Sequence, residues 1–138
     1  MSGRAFLDTN VLIYLYSENE ANKRDAAHRA LNSHDCVTSI QAFNEASNVW
    51  FRKSGWSGAK IKEHLDNIES VCDEIVMVQK HTISVALILK ERYGYSYYDC
   101  LMLASALESN CGVIFTEDMC DGQFIDNKLK IMNPFMDH

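Results

Sequence analysis

The chain has 138 residues, 47% of them apolar, and a formal net charge of −6. This is enough apolar material for one compact domain spanning residues 1–138. The acidic balance excludes a protein that holds nucleic acid by bulk positive charge, because neutralising phosphates takes clustered Lys and Arg. Cys36, Cys72, Cys100, Cys111 and Cys120 form no CxxC pair, and an odd number of scattered cysteines fits neither zinc nor a disulfide framework. They read as free thiols in a reducing, cytoplasmic setting. The opening MSGRAFLDTN has no apolar signal core, and no stretch approaches the roughly 18 apolar residues of a membrane span, so no membrane partner is expected.

Arg4 to Leu7 is a short apolar run that stops at Asp8, and Val11 to Tyr16 repeats apolar residues too densely for a half-exposed strand. The pattern reads as strand, turn, buried helix. Asn22 to Ser33 places Ala26, Ala27, Ala30 and Leu31 at helical spacing, and Cys36-Val37-Thr38 is a second brief strand. Ile40 to Lys53 is helical again, opened by Thr38-x-x-Gln41 in the pattern of a capping box. After Gly55, Ser57 to Ser70 carries Ile61, Leu65 and Ile68 on one stripe, and Glu74 to Val78 is a third strand of β-branched character.

His81 to Arg92 is a helix, and Ser96 starts another over Tyr97 to Glu108 that is apolar nearly all round and therefore central. Gly112 to Phe115 forms the fourth strand, and Leu129 to Met132 is a candidate fifth. The sole proline, Pro134, and six glycines mark no linker or repeat. Strands alternating with helices imply a central parallel sheet of four to five strands flanked by helices, an α/β fold.

In such a sheet ligands sit outside the carboxyl ends of the strands. Asp8 ends the first strand and Thr116-Glu117-Asp118 ends the fourth, so two distant stretches bring acids to one edge. Each candidate acid also has a purely structural reading. Asp8 could cap the helix that follows, but Thr9 and Asn10 cap equally well and would leave it spare. Glu45 flanks the polar face of its helix beside Gln41 and Asn48, as a solvated glutamate would. Asp99 completes Ser96-x-x-Asp99, another capping-box pattern, yet it begins a nearly apolar helix and needs partners if it faces the interior. Asp118 could be a turn residue.

Taken together, three or four converging carboxylates supply what Mg²⁺ or Mn²⁺ requires. Such an ion acidifies water and stabilises charge on a phosphodiester, providing locally the positive potential that the composition lacks.

The ordered set FLDTNVLIYLY, SIQAFNEASNVWFRK, GYSYYDCLMLASALESNCGVIFTEDMCDGQ and KLKIMNPF resembles a PIN domain, most closely the VapC-type toxin ribonucleases, over almost the whole chain. The resemblance implies a metal-dependent endoribonuclease of a type II toxin–antitoxin pair, with an RNA substrate, a cognate antitoxin and a homodimeric state. It carries the family's four acids onto Asp8, Glu45, Asp99 and Asp118 as catalytic and metal-holding residues. Thr116, Asn10 and Glu117 fall in supporting positions, and Asp121 stays outside the core set. Arg52, Lys53, Lys23 and Arg24 are candidate rim contacts to RNA. Tyr95, Tyr97 and Tyr98 could stack on bases, and Trp50, Phe51 and Trp56 could serve an interface or the core.

Two other readings are weighed. A phosphatase would want a second Asp where Asn10 stands, and a receiver a phospho-accepting Asp where Gln79-Lys80 stands. The alternative of a different class is a catalytically silent PIN-like scaffold or RNA-binding module, for which four acids would be unnecessary.

Overall fold

A computed structural model describes residues 3–136. The strands β1 (Arg4–Leu7), β2 (Asp35–Ser39), β3 (Glu74–Val76), β4 (Val113–Phe115), β5 (Phe124–Ile125) and β6 (Leu129–Met132) form one sheet in the order β3-β2-β1-β4-β6-β5. Every pairing is parallel except β5 with β6. The chain first adds strands to one side of β1 and later to the other. The winding therefore reverses between β1 and β4, where an open parallel sheet offers a ligand crevice. Ala5, Phe6 and Leu7 are completely buried, as a central strand covered on both faces requires.

The helices are α1 (Thr9–Tyr14), α2 (Ala21–Ser33), α3 (Ile40–Val49), α4 (Gly58–Val71), α5 (Lys80–Tyr93) and α6 (Tyr97–Glu108). From Cys100 to Ala106 every residue of α6 is buried, and the helix packs on α5, β2 and β4. Its all-round apolar sequence follows from that central place. No helix among the described residues is long and apolar enough to cross a membrane. The five cysteines are free, and burial pushes the thiols of Cys36 and Cys72 up to about 12 and about 11.

Four local expectations are corrected. Thr38 does not cap α3: β2 continues through Ser39, whose hydroxyl accepts from the Ala42 amide at 3.1 Å. The Thr38 hydroxyl lies inside the sheet and donates to the Leu7 carbonyl at 2.9 Å. The third strand ends at Val76 rather than Val78.

The helix expected over Ile40 to Lys53 changes character at Trp50. Trp50–Ser54 is a π-helical turn that closes at Gly55 with φ 65°. Trp50 is 1% exposed and stacks on Trp56, with ring centroids 5.1 Å apart and planes at 18°. Tyr16 and His64 pack around the pair, so these tryptophans belong to the core while Phe51 stays exposed.

Finally, β5 is an unpredicted antiparallel edge strand. Asp126 and Asn127 adopt φ of 51° and 56°, and the Lys128 amide donates to the Ile125 carbonyl at 3.0 Å. Two left-handed residues thus open the three-residue connection that turns the chain back from Ile125 to its partner Leu129. Trp50→Ala is expected to lower stability by about 3–5 kcal/mol, the cost of truncating a buried large aromatic. The urea midpoint measures it, and a drop below about 1 kcal/mol would show that the stack is not a core element.

Candidate functional site

Parallel pairing sets Leu7 beside Phe115, so the residues that follow, Asp8 and Thr116, meet at the carboxyl edge. Asp8 is 4% exposed and is itself the cap of α1, contrary to the reading that left it spare. One carboxylate oxygen accepts from the Thr9 amide at 2.7 Å, and the other accepts from the Thr116 hydroxyl at 2.7 Å. The Thr116 oxygen in turn accepts from the Asp118 amide at 3.2 Å. Asn10 closes the arrangement: its Nδ2 donates to Asp118 at 2.9 Å, while its Oδ1 accepts from the Glu117 amide at 3.3 Å. The loop after β4 is thereby folded back onto the start of α1.

Asp99 enters from a third direction, in the first turn of α6. The Ser96 hydroxyl accepts from the Asp99 amide at 3.2 Å, capping the helix as the sequence pattern suggests. Among the described residues, Asp8, Asp99 and Asp118 each offer an oxygen, and these atoms all lie within 4.8 Å of one another. They grade from buried through half-buried to exposed, forming a crevice with a floor and an open mouth. Glu45 is outside this trio. Its carboxylate accepts from the Thr9 hydroxyl and from Gln41 Nε2, both at 3.0 Å, and its charge reaches Asp99.

Burial pushes the Asp8 carboxyl up to about 7; the hydrogen bonds from Thr116 and Thr9 oppose this, and the charges of Asp99 and Asp118 add to it. Asp99 is raised first by burial, with Ser96 opposing and Asp118 and Glu45 adding. The site strains against its own negative charge. Hard oxygen donors at this spacing, destabilised by mutual repulsion, fit a hard divalent cation such as Mg²⁺ or Mn²⁺.

The remaining candidates are distributed around this centre. Glu117 turns away from the trio to accept from the Tyr14 hydroxyl at 2.9 Å and from Lys23 Nζ at 3.1 Å. Lys23, a candidate RNA contact, is thus engaged in holding the loop, and it also sits 4.6 Å over the Tyr14 ring. Arg24 donates to the Ser17 carbonyl at 3.2 Å. Arg52 and Lys53 are exposed on the π turn. Asp121 accepts from the Asn133 amide at 2.8 Å, a structural role at the end of β6.

Tyr97 packs against the core, Tyr98 is exposed, and Tyr95 proves to be a tether. The Tyr95 hydroxyl accepts from the Cys120 amide at 3.0 Å and donates to the side-chain Oε1 of Gln123. It links the approach to Asp99 with the segment just past Asp118. Gln123 escaped the sequence reading because no local pattern pairs residue 95 with residue 123.

Fold and site together define a class: an α/β domain with crowded carboxylates at the carboxyl edge of a parallel sheet, where its winding reverses. The model of the PIN domain family matches residues 5–119, and the chain belongs to that family. Among solved structures it is similar to a toxin–antitoxin complex from Klebsiella pneumoniae, with 20% identity over 94% of this chain and 97% of that one and a TM-score of 0.71. It is also similar to VapC20 of Mycobacterium tuberculosis, a toxin that cleaves the sarcin–ricin loop, with 19% identity over 83% and 91% of the two chains and a TM-score of 0.66. A third likeness is to VapBC2 from Rickettsia felis bound to a DNA fragment of its promoter, with 17% identity over 94% and 98% and a TM-score of 0.64. At these identities the likeness is one of fold. No curated protein matches the sequence.

The raised Asp8 carboxyl makes the stability of the metal-free protein depend on pH. The unfolded chain loses this proton near the ordinary value of 3.8 and the native protein near about 7. Between these values the native state holds more protons, so stability falls as pH rises from about 4 and levels off above about 7. Asp8→Asn is expected to flatten this slope and to raise the melting temperature of the metal-free protein at pH above that range. Urea titrations in EDTA across the interval test this, and an unchanged slope would remove Asp8 as its source.

Proposed function

We propose that the protein is a divalent-metal-dependent endoribonuclease that hydrolyses RNA phosphodiester bonds in the cytoplasm, as the toxin of a type II toxin–antitoxin pair. The observation that carries this reading is the convergence of Asp8, Asp99 and Asp118 within 4.8 Å at the sheet's carboxyl edge, in a chain of the PIN domain family. A scaffold role would account for Asp8 as the cap of α1, but would not call for two further carboxylates within 4.8 Å of it.

Asp8, Asp99 and Asp118 would hold Mg²⁺ or Mn²⁺, with Glu45 alongside. When bound, such an ion supplies positive charge against the phosphodiester and acidifies water. The chain's own residues prepare the geometry. Bonds from Thr9 and Thr116 to its two oxygens hold Asp8 in one orientation, and Asn10 orients the otherwise exposed Asp118. Glu45 retains lone pairs beyond those engaged by Thr9 and Gln41. It would complete the site as a ligand or as the group that orients the attacking water and takes its proton. Asn10, Thr116 and Glu117 are positioning residues of the loop that carries Asp118.

The similarity to toxin–antitoxin assemblies supports an antitoxin partner. Exposed Ile83, Leu87 and Ile88 on α5, 40%, 53% and 56% accessible, support a protein interface such as a homodimer's.

Purified wild type, freed of any partner, is expected to cut total cellular RNA into discrete fragments with Mg²⁺ or Mn²⁺ and to be silent in EDTA. Asp8→Asn, Asp99→Asn and Glu45→Gln should each reduce the rate by at least about 100-fold while keeping the native circular dichroism. Cleavage at the wild-type rate by any of these folded variants would remove that residue from the assignment.

A further inference from the structure

Between α3 and the first turn of α6 lies a shallow groove of about 310 Å³ lined by Gln41, Asn44, Glu45, Asn48 and Tyr98. The four α3 residues follow one another at spacings of three, one and three, so they share one helix face. Glu45 belongs to the acidic set, and Tyr98 directly precedes Asp99. The groove therefore adjoins the candidate site through Glu45, whose carboxylate also accepts from Thr9.

Gln41 and Glu45 are hydrogen-bonded to each other, but the remaining side chains are not so engaged. Asn44 and Asn48 are exposed, and no hydrogen bond among the described residues engages their carboxamides. Tyr98 is 58% exposed and meets only the edge of Tyr97, at a centroid distance of 5.4 Å. An exposed tyrosine alone is ordinary surface. An exposed tyrosine sharing a groove with two unengaged carboxamides, Asn44 and Asn48, and with Glu45 of the candidate site is a combination with a defined chemical complement.

We infer that this groove is a subsite for one unpaired nucleobase of the RNA substrate, stacked on Tyr98 with its hydrogen-bonding edge read by Asn44 and Asn48. The inference rests on the ribonuclease reading for its substrate but not for its geometry. Aromatic rings stack on any base. A carboxamide presents donor and acceptor side by side, matching the edge of a base that is free of its pairing partner. No Lys or Arg lines the groove, so recognition falls on the base rather than the backbone. A base within a duplex cannot reach it, and the substrate is single-stranded at this position.

The test has two arms. In the first, metal-free wild type in EDTA is titrated with AMP, GMP, CMP and UMP and, as the baseless control, ribose 5-phosphate, with the side-chain amide signals of Asn44 and Asn48 followed by NMR. At least one nucleotide should shift these signals while ribose 5-phosphate does not. Tyr98→Ala should abolish the shift and Tyr98→Phe keep it. No shift with any nucleotide, or an equal shift with ribose 5-phosphate, overturns the subsite.

In the second arm, Tyr98→Ala should lower kcat/KM for RNA about tenfold, and the Asn44→Ala, Asn48→Ala double variant should change the nucleotides flanking the mapped cuts. Wild-type cleavage with Tyr98→Ala cutting the same sites at the same rate sinks the subsite and leaves the ribonuclease. A wild type that shifts with nucleotides but cuts no RNA sinks the ribonuclease and leaves a base-binding groove.

Discussion

The hydrogen bond from the Thr116 hydroxyl to Asp8, 2.7 Å long and completely buried, is the contact around which the candidate site is organised. It exists because β1 and β4 pair in parallel and end in step, so it is a property of the sheet before it is a property of the site. The same oxygen accepts from the Asp118 amide and from Asn10. One hydroxyl thus relates the floor of the crevice to its exposed rim. Asn10 ties the loop at Asp118 to the start of α1, and Tyr95 ties the segment leading to Asp99 to the chain just past Asp118. A buried carboxylate disfavoured by its surroundings persists because this frame over-determines its place.

Much of this arrangement was legible in the sequence where local pattern and global fold agree. β1, β2, β4 and β6 are short apolar runs ended by polar residues, and α6 is apolar all round because it is buried all round. What the pattern could not show was either too short or decided at a distance. Phe124–Ile125 is two residues long, and its Asp126-Asn127 turn lacks the glycine that usually marks such hairpins. Thr38 and Ser39 are both plausible caps, and only the length of β2 decides between them. Lys23 looks like a free cation until Glu117 and Tyr14, both distant from it in sequence or hidden by the fold, are seen to hold it. At the site, the convergence of Asp8 with Asp118 followed from strand order, whereas the separation of Glu45 from the other three acids depends on Thr9 and Gln41, which carry no such signal.

The electrostatics explain how an acidic chain could address a polyanion. Part of its cationic charge is paired within the chain: Arg4 with Glu74, Lys23 with Glu117 and Lys62 with Asp66. With a formal net charge of −6, the chain as a whole is poorly suited to binding built on counterion release. On the proposed reading, attraction would come from a cation held by the carboxylates and from contacts to bases, an economy that favours selectivity over avid, indiscriminate binding.

The sheet order also sets a schedule for synthesis. The central strand β1 is made first, but one of its neighbours, β4, begins only at Val113 of 138 residues. Until then β1 has an open edge, Asp8 has no hydroxyl partner at position 116, and Asp118 does not exist. During synthesis the three-carboxylate crevice therefore cannot assemble until the residues that follow β4 have been made.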